Sequence, residues 1–219
     1  MTAQAQEARA YAAYEKAVTE QKRMPELEPI IMQDAAWAFY YAIHVIKGRW
    51  PEAEPVIMKD STYVHCYARD VLQKRWLEAE PTIMQNAYWS YYYSLEVIQD
   101  RYPEAEQVIM QNATYACWYA RDVIKCRWQV AEPVIMQNAQ AAYYYARDVI
   151  KGRWYDAESI ISIAQSDDQT DYIEHFFDEP VITKDQVDII EWERKKQVGY
   201  FAPASLFETK VSLLDMVIT

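Results

Sequence analysis

The chain has 219 residues, 52% of them apolar, and a formal net charge of −11. Its three glycines disfavour a glycine-rich phosphate loop and most tight β-hairpins. No apolar run approaches a membrane span, and no Lys/Arg cluster offers the stripe that a nucleic-acid reader needs.

Residues 1–23 carry a net charge of +1, are Ala-rich and lack an apolar leader core. Tyr11 to Arg23 resembles the second half of the unit described next, with one extra residue, so this segment is expected to be a capping helix. The three cysteines, Cys66, Cys117 and Cys126, are an odd set without a leader. Free thiols in a reducing compartment follow, hence a cytoplasmic protein.

From Met24 one phrase is written five times, as 24–49, 50–75, 76–101, 102–127 and 128–153. Trp50, Trp76, Tyr102, Trp128 and Trp154 mark a beat of 26 residues. A fixed period of this size signals a repeat architecture. Each unit opens on a short half, such as Trp50-Pro51-Glu52-Ala53-Glu54-Pro55-Val56-Ile57-Met58. Its prolines fit a turn leading into a helix of about two turns, and either proline can be the start. Next stands Asp34, Asp60, Asn86, Asn112 or Asn138, each a good N-cap because its side-chain oxygen accepts a free N–H of the first turn.

A second helix of about 13 residues follows. In unit two its apolar stripe is Tyr63, Val64, Tyr67, Ala68, Val71 and Leu72, the spacing of one helical face. Gly48 and Gly152 stand where a left-handed C-cap is wanted. One such hairpin cannot bury its own face, so stacking into an all-α solenoid is expected.

The invariant positions read as packing between units. They are the Met32, Met58, Met84, Met110 and Met136 series, the Tyr41, Tyr67, Tyr93, Tyr119 and Tyr145 series, and the Val45, Val71, Val97, Val123 and Val149 series. Glu28, Glu54, Glu80, Glu106, Glu132 and Glu158 recur too, within reach of the arginine that closes every unit (Arg49, Arg75, Arg101, Arg127, Arg153). Trp154 to Glu158 begins a sixth unit that diverges at Ser162, so the array is taken as 24–165.

The variable positions of the second helix are where recognition is expected. They are Phe39, Tyr40 and Ile43; His65, Cys66 and Arg69; Tyr91, Tyr92 and Leu95; Cys117, Trp118 and Arg121; Tyr143, Tyr144 and Arg147. Aromatics and arginine are the residues that anchor protein interfaces. Residues 166–219 form an acidic module, with helices expected at 183–197 and 205–217 from capping boxes at Thr183 and Ser205. Asp167, Asp168, Asp171 and Glu174 make its acidic surface. The module is expected to cover the open end of the array, with presentation of its carboxylates to a partner as the alternative.

No pair of His44, His65 and His175 has ligand spacing, and no CxxC, G-x-S-x-G or dinucleotide fingerprint is present. No catalytic residue, metal or cofactor is expected.

The wording at Lys47–Met58 and Tyr145–Trp154 resembles tandem short-repeat proteins of tailed bacteriophages and related mobile elements, over residues 24–158. That family has no known activity, so the resemblance carries over no functional residue. It implies a small host-directed protein, such as an inhibitor of a defence system. The function expected is therefore a non-enzymatic protein that occludes or sequesters a host protein. Two alternatives stay open: an acidic nucleic-acid mimic using the carboxylates of residues 156–193, and a sponge for a nucleotide signal. Direct nucleic-acid binding and a membrane role are not expected, and homo-oligomerisation through units one and three is left open.

Overall fold

The computed structural model describes residues 2–161. The expected helices at 183–197 and 205–217, and the rest of the acidic module, lie outside the described residues. Within them the chain is helical and contains no strand. It begins with α1 (Ala3–Thr19), capped by the Thr2 hydroxyl, which accepts the Ala5 N–H at 3.3 Å.

Five layers follow, one per unit. Layer two shows the pattern. A 3-10 turn at Pro51–Ala53 runs into a one-turn helix at Glu54–Ile57, so each proline opens a helical segment and neither removes a needed donor. Asp60 then caps the longer helix, accepting the Thr62 N–H at 2.8 Å. This helix is α over Ser61–Cys66 and widens to π over Tyr67–Leu72. The short helices of the array are α2 (Glu28–Ile31), α4 (Glu54–Ile57), α6 (Glu80–Ile83), α8 (Glu106–Ile109) and α10 (Glu132–Ile135). The longer ones are α3 (Ala35–Tyr41), α5 (Ser61–Cys66), α7 (Ala87–Tyr93), α9 (Ala113–Tyr119) and α11 (Ala139–Tyr144), each continued by a π segment. Opening the sixth unit is α12 (Glu158–Ile161), after a 3-10 turn at Tyr155–Ala157.

The π segments are a departure from a uniform second helix. Isolated π turns tend to mark functional sites. Here one recurs in every layer, so it belongs to the architecture.

The cap at the end of each longer helix is a correction. The left-handed residue is not glycine but Lys47, Gln73, Gln99, Lys125 and Lys151, with Gln21 in phase after α1. Gly48 and Gly152 follow one residue later, and a Cβ on either would meet nothing within 4 Å. The left-handed conformation costs a residue with a side chain about 1–2 kcal/mol. Wrapping hydrogen bonds offset that cost: the Lys47 and Gly48 N–H groups both reach the Ala42 carbonyl.

Each short helix packs chiefly on the longer helix of the layer before it, and successive longer helices lie side by side. On this plan α1 packs on α2 and α3. The core is one continuous cluster. Ile31, Ile57, Ile83, Ile109 and Ile135 are fully buried, as are Ala53, Ala105 and Ala131. The methionine and valine series are half-buried against it.

The tyrosine series is fully buried and ties layers together in both directions. Each ring packs on the aromatic that opens the next layer, as Tyr41 does on Trp50 with centroids 4.9 Å apart. Each hydroxyl turns back to its own layer and accepts the backbone N–H of its opening residue, at 2.6 Å for Tyr67 and Trp50. In four layers the hydroxyl also donates to the recurrent glutamate (Glu28, Glu54, Glu106, Glu132). In the remaining layer Tyr102, standing where the others have tryptophan, brings its hydroxyl beside Glu80. Burial pushes the Tyr67 hydroxyl up to about 12, so it keeps its proton at neutral pH and serves as a donor.

Each glutamate is held in turn by the arginine five residues before it. Arg49 Nε and Nη2 donate to the two oxygens of Glu54 at 2.6 and 3.0 Å. The same two-oxygen pair forms at Arg23–Glu28, Arg75–Glu80, Arg127–Glu132 and Arg153–Glu158, while Arg101 directs both nitrogens to one oxygen of Glu106. The sequence places this glutamate with its arginine as a surface pair. The structure buries the carboxylate of Glu54 almost completely and leaves Arg49 half exposed. A buried carboxylate needs every lone pair satisfied, and here arginine and tyrosine supply the donors.

Candidate functional site: the variable face of the long helices

Stacked layers place equivalent positions above one another, so the variable residues of the longer helices form columns along the array. The columns differ in exposure. Phe39, His65, Tyr91, Cys117 and Tyr143 share one column, and all five are buried. This corrects the expectation that Phe39, Tyr91 and Tyr143 are available to a partner. The physical reason is the stack itself: each longer helix is flanked by a helix from the layer before and another from the layer after. Residues that look solvent-facing on an isolated helix are therefore covered by the neighbouring layer, as Phe39 is by Tyr63 (ring centroids 5.9 Å apart).

The next column, Tyr40, Cys66, Tyr92, Trp118 and Tyr144, is partly open, with Tyr40 the most exposed. The Ile43, Arg69, Leu95, Arg121 and Arg147 column is likewise half-buried or exposed. Sequence reasoning missed a third column, which includes Trp37, Trp89 and Tyr115 one turn before Tyr40, Tyr92 and Trp118. It also missed Tyr88 beside them. The signal was present, since Trp37 and Tyr40 are three residues apart and face the same way.

These residues gather into two aromatic clusters. The first lies over α1 and α3. Tyr11 and Tyr14 pack on Trp37 with centroids 4.7 and 5.3 Å apart, and Tyr40 stacks on His44 at 6.0 Å and 6°. The Tyr14 hydroxyl and His44 Nδ1 are 2.7 Å apart. Desolvation keeps the Tyr14 hydroxyl protonated by pushing its pKa up. The second cluster spans α7 and α9. Tyr88 meets Tyr92 at 4.6 Å and crosses edge-on to Tyr115 at 5.6 Å, while Tyr115 meets Trp118 at the same separation. Buried Tyr91 supports this cluster from beneath and donates to Asp122 at 2.6 Å. Burial, then that carboxylate, pushes the Tyr91 hydroxyl pKa up.

Between the clusters layer two is polar. His65 lies against Trp89, and Arg69 forms ion pairs with Asp70 and Glu96, each at 2.7 Å. Further along, Arg121 pairs with Asp122 and Arg147 with Asp148, both at 2.7 Å. The Arg147 guanidinium also lies over Tyr144, 4.8 Å from the ring centroid. The arginines of this face are thus already engaged within the chain, leaving the aromatics as its open feature.

The turns that open the layers carry exposed Glu26, Glu52, Glu78 and Glu104. The arginine row faces them; Arg75 Nη2 lies 3.8 Å from Glu104. Asp167, Asp168, Asp171 and Glu174, with most of the span 156–193, lie outside the described residues.

Burial pushes the Cys117 thiol up to about 12, and burial likewise raises that of Cys66, so neither offers a thiolate at neutral pH. Among the described residues no group of three His, Cys, Asp or Glu side chains is placed to hold a metal ion. Nor is any helix among them long and apolar enough to cross a membrane. No known protein family, no curated protein and no solved structure matches this chain.

Proposed function

We propose that this chain is a non-enzymatic binding array that holds a protein partner on the aromatic face of its longer helices. One observation carries the reading. The residues that vary from layer to layer include partly open aromatics, Tyr40, Tyr88, Tyr92 and Trp118, over a tyrosine–glutamate–arginine framework that does not vary. An invariant framework that carries varied outer aromatics presents a preorganised patch, and aromatic side chains are the usual anchors of protein interfaces. The resemblance to phage repeat proteins supports a host protein as the partner and occlusion as the mode of action.

The test is affinity purification from host lysate with the natural chain and with a Tyr88→Ser, Tyr92→Ala, Trp118→Ala variant. A partner held by the natural chain and lost by the folded variant supports the reading. Equal capture by both chains, or none by either, overturns it.

A further inference from the structure

We propose that His65 makes the joint between layers two and three a proton-sensitive hinge, which loosens when the imidazole takes up a proton. Four observations converge on this joint.

The first is position. His65 stands in the buried column whose other members are Phe39, Tyr91, Cys117 and Tyr143, so among the described residues it is the one imidazole placed in this inter-layer core. It is 3% exposed and packs on Trp89 of the next layer, with ring centroids 5.3 Å apart.

The second is an incomplete hydrogen-bond set. Neither ring nitrogen of His65 makes an aligned hydrogen bond. Nε2 lies 3.2 Å from Glu96 Oε2, but out of line with it. A neutral ring tolerates this, whereas a buried cation requires partners at both nitrogens.

The third is competition. The Glu96 oxygen nearest His65 already accepts from Arg69 Nη1 at 2.7 Å. A second cation at the same oxygen would stand against the guanidinium. From its own helix His65 therefore faces Arg69, Asp70 and Cys66, and Asp70 is held by Arg69 through both oxygens. From layer three it faces Glu96 and the backbone of Tyr92. In α6, also packed on α5, Glu80 is occupied by Arg75. On the layer-one side His44 is bonded to Tyr14, and Asp34 caps α3. Among these carboxylates only Glu96 Oε1 and Asp34 Oδ2 accept no bond, and neither is in line with a His65 ring nitrogen.

The fourth is the polar nature of the joint. Ser61 donates to the Thr82 carbonyl at 3.0 Å, and Thr82 donates to the Met58 carbonyl at 2.8 Å. Such bonds exchange readily with water when the layers part. The apolar joint on the other side, built on Phe39 and Tyr63, has no such alternative.

Desolvation, the largest influence, lowers the His65 pKa below its ordinary 6.5, and Glu96 only partly offsets it. The folded joint thus binds its proton less readily than an open one. The stability contributed by neutral His65 is fully present above pH 6.5 and falls as pH drops through that value towards the folded pKa.

The experiment follows amide hydrogen exchange of the full chain at about pH 7.5 and about pH 5.5, corrected for intrinsic rates, together with an NMR titration of the imidazole protons. Amides of α5 and α7 are expected to exchange roughly threefold or more faster at the lower pH, while those of α11 do not change. His65→Phe, and independently His65→Tyr, should remove the difference; His44→Gln should keep it. A His65 pKa at or above 6.5 overturns the proposal, as does a pH response that persists in a folded His65 variant.

Discussion

The Tyr67 hydroxyl accepts the backbone N–H of Trp50 at 2.6 Å across 17 residues of chain. The same hydroxyl donates its proton to Glu54, while the Tyr67 ring rests on Trp76 of the following layer. One side chain thereby fixes the start of its own layer and the seat of the next.

Tyr67→Phe keeps the ring and deletes the oxygen. It strands a buried N–H and removes one donor from a buried carboxylate. The expected loss is about 1–3 kcal/mol, read as a lower urea midpoint with an unchanged slope. An unchanged midpoint would mean that the hydroxyl adds nothing to the joint.

Neighbouring residues on α3 should behave very differently. Phe39 is 5% exposed and Tyr40 is 37% exposed. Phe39→Ala is expected to destabilise by about 3–5 kcal/mol, and Tyr40→Ala by about 1 kcal/mol or less. Thermal unfolding of the two variants separates them. Similar losses would contradict the division into a covered column and an open one.

That division marks the limit of what the sequence discloses. The beat of 26, the Asp and Asn caps and the invariant tyrosines are legible because each rests on local spacing or on repetition within the chain. Pairing of Arg49 with Glu54 is legible as proximity, but the near-complete burial of Glu54 is not, since it depends on Tyr67 arriving from 13 residues away. Exposure of Phe39, Tyr91 and Tyr143 was misread because a helix wheel has no knowledge of the next layer. The π segments were invisible for a related reason: their widened turns carry the same apolar residues as an α-helix would.

Acid stability should register Asp122. Burial alone would raise its pKa, yet hydrogen bonds from Arg121 and Tyr91 outweigh burial and hold it below the ordinary 3.8. Its contribution is complete above that ordinary value and is lost as pH falls through the lowered native value. Asp122→Asn should therefore flatten the stability profile below about pH 4 while lowering stability at neutral pH. Urea titrations at several pH values read both effects, and parallel profiles would refute the assignment.

The left-handed residues give a prediction of opposite sign. Gln73 is exposed, and its φ of 53° costs a residue with a Cβ. Gln73→Gly relieves that strain, while glycine frees the unfolded chain in return. The expected net gain is about 0.5–1 kcal/mol, visible as a higher Tm. A lower Tm would show that the Gln73 side chain holds the cap.

Because every tyrosine socket accepts the same kind of ring at the same interval, the array has an interchangeable seam. Excising residues 102–127 would bring Trp128 into the seat now filled by Tyr102, and Asp148 into the place where Tyr91 meets Asp122. Loss of a length that is not a multiple of 26 would leave a tyrosine facing the wrong partner. Such a chain lengthens or shortens by whole coils, like a spring cut only between its turns.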